Sequence, residues 1–303
     1  MALIILKQIV IMFLYMLTGY AIYRTGKLTK EGSRGIAALL VNLVIPAVIV
    51  RSFCVERSAE RIAALGGSAL AAAAALALSL LIARLIYKNA PIDNFAAAFS
   101  NAGFIGIPLV TAALGEGAVF YLVPYIVMLN LGQWTYGVAI MTGDFGKLKP
   151  KAMLLNAFVI GTLIGLILFF TGLGTRLPAV VSSTMNGIAV LNSPLAMIVL
   201  GVYLAQADLL EMVKNKRLYV FSAVRLLLIP ALTTLVLAVL PLSLDIRQTV
   251  LIAAAAPAGA NVAIYAQLHG KDYPYACQTV VMSTLLSIAT MPVMMSLAEL
   301  LHM

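Results

Sequence analysis

The chain has 303 residues, of which 63% are hydrophobic and only 10% are charged, and its mean hydropathy is +1.05. A soluble domain carries about a quarter charged residues, so a water-soluble enzyme or nucleic-acid-binding module is excluded and an integral membrane protein is expected. The formal net charge of +9 is then a matter of topology and gives no reason to invoke a nucleic-acid partner.

A membrane-spanning helix needs about 20 mostly apolar residues. Ten such stretches follow one another: 2–23, 33–53, 63–87, 92–114, 118–141, 152–172, 179–204, 217–240, 249–268 and 274–300. Span 1 begins at the initiator and runs to full length without a basic n-region or a small-residue cleavage site, so no cleavable signal is expected. Span 2 holds Asn42 and Pro46, and the run Ala69–Ala75 gives span 3 a close-packing face. Span 4 carries Ser100, Asn101, Gly103, Gly106 and Pro108, and span 5 carries Asn130 and Gln133. The hydrophilic connection GDFGKLKPK, Gly143–Lys151, follows. Beyond it come Asn156 at span 6, then Asn186, Asn192 and Pro194 in span 7, and Arg225 inside span 8. Span 9 contains Ala256, Pro257, Ala258, Gly259, Ala260 and Asn261. Little chain remains outside the spans, so no soluble domain is expected.

Basic residues concentrate on cytoplasmic loops. Arg24, Lys27, Lys30, Arg34, Arg84, Lys88, Lys147, Lys149, Lys151, Lys214, Lys216, Arg217 and Lys271 fall at one set of span ends. They outnumber Arg51, Arg57, Arg61, Arg176 and Arg247 at the other. Both termini are therefore expected on the extracytoplasmic side of the cell inner membrane.

The prolines carry an internal register. Pro108 and Pro257 are 149 positions apart, Pro46 and Pro194 are 148 apart, and the gaps within each half are 62 and 63. Such spacing argues for a duplication, with residues 1–143 (spans 1–5) as one repeat and 149–303 (spans 6–10) as the other. Five spans per unit make the second repeat enter the membrane from the opposite face. The expected fold is thus an all-α membrane protein of ten transmembrane helices in two inverted five-helix repeats. Proline removes a backbone donor, and in hydrocarbon an opened helix is tolerated only where it is buried or lines a cavity. Spans 4 and 9 are accordingly expected to break and cross at Pro108 and Pro257. Gly103, Gly106 and Gly259 allow close approach there. The half-helix N-termini at the crossing favour an anion.

Amides inside the spans can bind a carboxylate without carrying charge. Asn101 and Asn261 flank the prolines and are assigned to substrate, and Asn42 and Asn192 divide evenly between that role and packing. Asn130, Gln133, Asn156 and Asn186 read as packing or cavity-wall groups. Arg225 either snorkels, serves a structural role or pairs with an anion or freed carbonyls, with the structural role preferred. Lys7, Arg51, Arg84 and Asp93 read as interfacial anchors. Glu31, Asp93, Glu116, Asp144 and Asp208 all lie at ends or in loops. A cation carrier usually needs a buried carboxylate, so an anionic substrate fits better. Cys54 and Cys277 read as lone, inert thiols, and His269 and His302 lie at span ends. No metal, cofactor or nucleophile–base set is indicated, so an enzyme is not expected.

SNAGFIGIPLV (Ser100–Val110) and PAGANVAIYAQLHGKDYPYACQTVVMSTLLSIATMPV (Pro257–Val293) resemble the auxin efflux carrier family, which includes plant PIN-type carriers and bacterial carboxylate permeases. VNLVIPAVIVRSF and AVRLLLIPAL add to the likeness, which covers almost the whole chain. The resemblance implies the ten-helix PIN-like fold with helices 4 and 9 crossing at their prolines. It also implies a scaffold domain of spans 1, 2, 6 and 7, through which members often dimerise. A transport domain of spans 3–5 and 8–10 would move against it. Asn101 occupies the position of the family's substrate-facing asparagine. The short central connection points to a compact prokaryotic member, for which malate, malonate or similar acids are the expected cargo rather than auxin. The function expected is secondary transport of a small organic carboxylate by alternating access. A cation/proton antiporter or an anion channel on the same fold is the alternative, the first requiring an essential intramembrane carboxylate and the second showing too large a conductance for a carrier.

Overall fold

The computed structural model describes residues 1–144 and 155–301. Lys147, Lys149, Lys151, His302 and the start of span 6 lie outside the described residues. Among the described residues the chain is helical, without a named strand.

Among the described residues, seven helices are long and apolar enough to cross a membrane. They are α1 (Ala2–Arg24), α2 (Lys30–Ser52), α3 (Ala59–Ile86), α6 (Glu116–Thr142), α8 (Ala179–Gln206), α10 (Lys216–Ala238) and α13 (Tyr273–Leu300). The other apolar stretches form shorter pieces. Span 4 divides into α4 (Pro91–Ala98) and α5 (Ala102–Leu114). Span 6 gives α7 (Ala157–Thr171). Span 9 divides into α11 (Leu244–Ala255) and α12 (Asn261–Leu268). A short α9 (Leu209–Lys214), capped by the Asp208 carboxylate, fills the connection before α10.

The prolines do not act as expected. Span 4 is interrupted at Phe99–Asn101, well ahead of Pro108, which lies buried inside continuous helix. Three five-residue π-helical turns end two residues before a proline: Leu40–Val44 before Pro46, Ala102–Gly106 before Pro108, and Val224–Leu228 before Pro230. A proline ring crowds the carbonyl four residues earlier and donates no hydrogen bond to it. A wider turn carries that carbonyl aside, so the helix continues through the proline. Pro257, by contrast, does sit within the interruption between α11 and α12.

Packing follows small residues. α1 runs along the second half of α8, where a Cβ on Gly19 would stand 2.3 Å from the Ile198 carbonyl oxygen and one on Gly201 only 2.0 Å from that of Met16. The two helices therefore touch backbone to backbone, which glycine permits. The second half of α2 packs on α7 and on the first half of α8. α3 lies against α4, α6, α10 and α11, with its Ala71, Ala72 and Ala75 fully buried. Thus the alanine run is a packing face, as expected. α13 closes the arrangement against α12, α10 and α1.

Candidate functional site

The two interruptions meet. The Asn101 amide donates to the Pro257 carbonyl at 2.8 Å and the Gly259 amide donates to the Phe99 carbonyl at 2.9 Å. Together they make an antiparallel bridge between Ser100 and Ala258. This pairing satisfies backbone groups that would otherwise be bare in an apolar interior. Side chains complete the junction. Ser283 Oγ of α13 accepts from the Ala258 amide at 3.1 Å, and Ser100 Oγ donates to the Tyr125 hydroxyl at 3.3 Å. A Cβ on Gly259 would lie 3.1 Å from the Ser100 carbonyl oxygen, so this position needs glycine for close approach.

A small cavity of ≈30 Å3 sits at the junction. Asn101, Ala102 and Gly103 line one side of it, Gly259, Ala260 and Asn261 another, and Asn130 and Gln133 of α6 a third. The N-terminal ends of α5 and α12 both face it. Asn101 is only 5% exposed. Its Oδ1 accepts from the Phe104 amide at 3.3 Å, while its Nδ2 is buried without a hydrogen-bond partner. Asn261 donates to Gln133 Oε1 at 2.7 Å. Asn192 of α8 reaches across and donates to the Gly103 carbonyl at 3.2 Å.

The junction also contains the C-terminal ends of α4 and α11, which carry partial negative charge. Arg225 answers both. It is fully buried, and its guanidinium donates to the Ala97 carbonyl at 2.9 Å and to the Ala256 carbonyl at 2.9 and 3.1 Å, and it also donates to Ala254. The two helix ends contribute roughly −0.5 each and the guanidinium cancels them, leaving the two N-termini as the unbalanced charge, about +1 at the cavity. Such a site attracts an anion.

The expected site residues therefore separate. Asn101, Gly103, Gly259 and Asn261 come together around the cavity, and Pro257 supplies a carbonyl to the bridge. Asn192 joins through Gly103. Pro108 lines none of the cavities, and Gly106 packs toward Ala253 of α11. Asn42 donates to its own helix at Ala38, 2.9 Å away, and faces a larger cavity beside the site. Asn130 and Gln133 are cavity-wall groups, as expected, whereas Asn156 caps α7 through the Phe158 and Val159 amides. Arg225 does not snorkel; it binds freed carbonyls. Asp93 is more than an interfacial anchor. Fully buried at the start of α4, it accepts from Arg217 of α10 and, at 2.5 Å, from the Tyr275 hydroxyl of α13. Burial raises the Cys54 thiol, which suits an inert cysteine. Tyr125 and Ser283 were not singled out from the sequence, and Ser100 stood out there only as a small residue of span 4. Hydroxyls in apolar helices carry no signal that distinguishes such partners from ordinary helix-backbone bonding.

Two larger cavities flank the junction. One of ≈560 Å3 is lined by Lys30 and Arg34 at its mouth and shares Val41, Phe104, Ala260 and Asn261 with the small cavity. The other, ≈510 Å3, lies by Arg51, Glu116 and Asn186 and shares no lining residue with it. On that second side Arg51 and Glu116 form an ion pair of 3.3 Å. Of these two, the Lys30/Arg34 cavity alone shares lining residues with the junction cavity.

Residues 4–295 match the family model described as "Membrane transport protein". The chain belongs to the auxin efflux carrier family of membrane transport proteins. A protein of Rhizobium meliloti (strain 1021) named "Putative malonate transporter" is 29% identical over 224 residues, covering 71% of this chain and 69% of that protein. Membership in this family, together with the apolar helices, marks the chain as a multi-pass membrane transporter and sets it apart from enzymes.

Proposed function

We propose that this transporter carries a small organic carboxylate anion by alternating access, with the carboxylate held at the junction of the two interrupted segments. The observation that carries the reading is the Asn101 amide, a buried donor without a protein partner, on a residue that lines a cavity ringed by amides and two helix N-termini. A buried unsatisfied donor costs about 1–3 kcal/mol, which a carboxylate oxygen would recover. At ≈30 Å3 the cavity takes little more than the carboxylate group itself, so the body of the acid would rest in the ≈560 Å3 cavity. Asn261 and Gln133 would exchange their mutual hydrogen bond for contacts to the anion. The name of the Rhizobium relative is compatible with this substrate class.

The same reading takes spans 1–5 and 6–10 as inverted repeats whose fourth members are the interrupted ones. It takes α1, α2, α7 and α8 as a scaffold, held by the glycine contact of α1 with α8. The remaining helices are then the moving body that carries the junction. The abundance of basic residues near Lys30 and Arg34 supports a cytoplasmic position for that end, on which reading the conformation is open to the cytoplasm and both termini lie on the other side. Purified protein should gain thermal stability from mono- or dicarboxylates, by about 2.7 kcal/mol at a hundredfold excess over Kd, and proteoliposomes should accumulate the same acids. If no small carboxylate stabilises the protein or is taken up, while a cation or neutral solute is, the reading fails.

A further inference from the structure

We infer that Lys30 and Arg34 form a second anion site, an entry station that collects the carboxylate before it reaches Asn101 and Asn261. The inference deepens the proposed function and rests on it. Both cations line the ≈560 Å3 cavity that shares Val41, Phe104, Ala260 and Asn261 with the junction cavity, and neither takes part in an ion pair among the described residues. Arg34 donates one hydrogen bond, to the neutral Gln267 side chain at 3.0 Å. Lys30 lies 4.6 Å from the centre of the Tyr273 ring. Three other cations are already paired: Arg217 with Asp93, Arg51 with Glu116, and Arg225 with three carbonyls. The Lys30/Arg34 pair therefore offers positive charge without an ion-pair partner in the cavity that shares lining residues with the junction. Lys30 also begins α2, whose N-terminal end adds to that charge.

Spacing decides between one extended site and two successive ones. Gln267, which marks the Arg34 guanidinium, lies six residues along α12 from Asn261, or about 9 Å at 1.5 Å per residue. Arg34 lies seven residues along α2 from Val41, which lines the junction cavity, and that gives about 10 Å. Both walls put the cations about two helical turns from the amides, farther apart than the two carboxylates of a small diacid. That rise favours two successive stations over one extended site. The anion would bind first beside the cations, where charged walls of low dielectric raise its local concentration, and then pass along α12. Since a dianion gains twice the interaction energy of a monoanion in the same potential, the station also favours diacids.

The test is transport kinetics in vesicles that present the Lys30/Arg34 face outward. The double variant Lys30→Gln, Arg34→Gln should raise KM from that face about tenfold for a dicarboxylate and about threefold for a monocarboxylate. Its saturated rate from that face should stay as in the wild type, and its melting temperature reports the fold. Arg34→Lys should restore most of the affinity. At about 1 M salt, where the screening length falls to about 3 Å, wild type and double variant should converge. An unchanged KM at low salt, or a loss indifferent to salt, would overturn the entry station. A loss seen only when the vesicles contain anionic lipid would overturn it too, since the cations would then serve a headgroup. Asn101→Ala separates the two readings. If it abolishes turnover while the double variant changes nothing, the entry station falls and the junction stands; if it leaves uptake intact while the double variant raises KM, the junction falls and the entry station stands.

Discussion

The interruption in span 4 and the one in span 9 differ in how they are opened and in what they leave free. The first is three residues long, contains no proline, and exposes an asparagine donor without a partner. The second spans Ala256–Ala260, includes Pro257, and its asparagine is already bonded to Gln133. What keeps each open is the other, through the Ser100–Ala258 bridge, together with Arg225 on the carbonyls behind it. The comparison teaches that a broken membrane helix is made by supplying its exposed backbone with partners, and that proline is only one way to withdraw the old ones.

Removing the shared support should break both interruptions at once and give the largest effect. Arg225→Met leaves the Ala97, Ala254 and Ala256 carbonyls without their buried donor. Hydrogen bonds to a charged group are worth about 1.5–3 kcal/mol each, so a loss on the order of 3 kcal/mol or more is expected, read as a collapse of folded yield and melting temperature in detergent. A variant that melts like the wild type would show that the carbonyls find other partners.

The two asparagines sharpen the contrast. Asn101→Ala should abolish substrate-induced stabilisation and uptake in proteoliposomes. Its cost to stability should be that of a lost cap on the Phe104 amide, about 1 kcal/mol. Asn261→Ala should weaken uptake less, because Gln133 is then released to face the cavity. Equal uptake by wild type and Asn101→Ala would remove Asn101 from the site.

Glycines come next. Gly259→Ala drives a methyl group against backbone oxygens of Ser100 and Phe99, at 3.1 and 3.3 Å, and should cost about 1–3 kcal/mol with a corresponding drop in melting temperature. Gly103→Ala meets only the end of Ile45, at 3.4 Å, and should cost less than about 1 kcal/mol. The reverse order would mean that the close approach lies on the span 4 side.

The smallest effect belongs to Pro108→Ala. Since the helix already passes through Pro108 on a wide turn, alanine restores a donor and should leave stability unchanged or slightly raised. Pro257→Ala, inside an interruption, should disturb uptake more than Pro108→Ala does; a severe defect in Pro108→Ala alone would contradict the wide-turn account.

Much of this was legible in the amino-acid order, for reasons that differ by element. Apolar stretches of 20 residues declare themselves because lipid demands them, and Asn101, Gly103, Gly259 and Asn261 stood out as small or polar positions in otherwise apolar spans. Pro108 misleads because the chemistry that ends a helix in water is absorbed here by a π turn, which leaves no mark in composition. Arg225 is conspicuous in the sequence, yet its partners are backbone carbonyls from two distant segments, and backbone groups look alike in every residue. Asp93 looked peripheral because its position in the span is terminal, whereas its burial comes from Arg217 and Tyr275 folding over it. Partnership between remote segments is the part that only three dimensions supply.

Arg225 has one more implication. Its guanidinium grips strands of chain from both halves of the molecule with hydrogen bonds that no solvent stands ready to replace. Pulling the halves apart at that point would strip several oxygens naked in oil. On the proposed alternating-access reading, the paired breaks would travel together as one piece, with the hinge elsewhere.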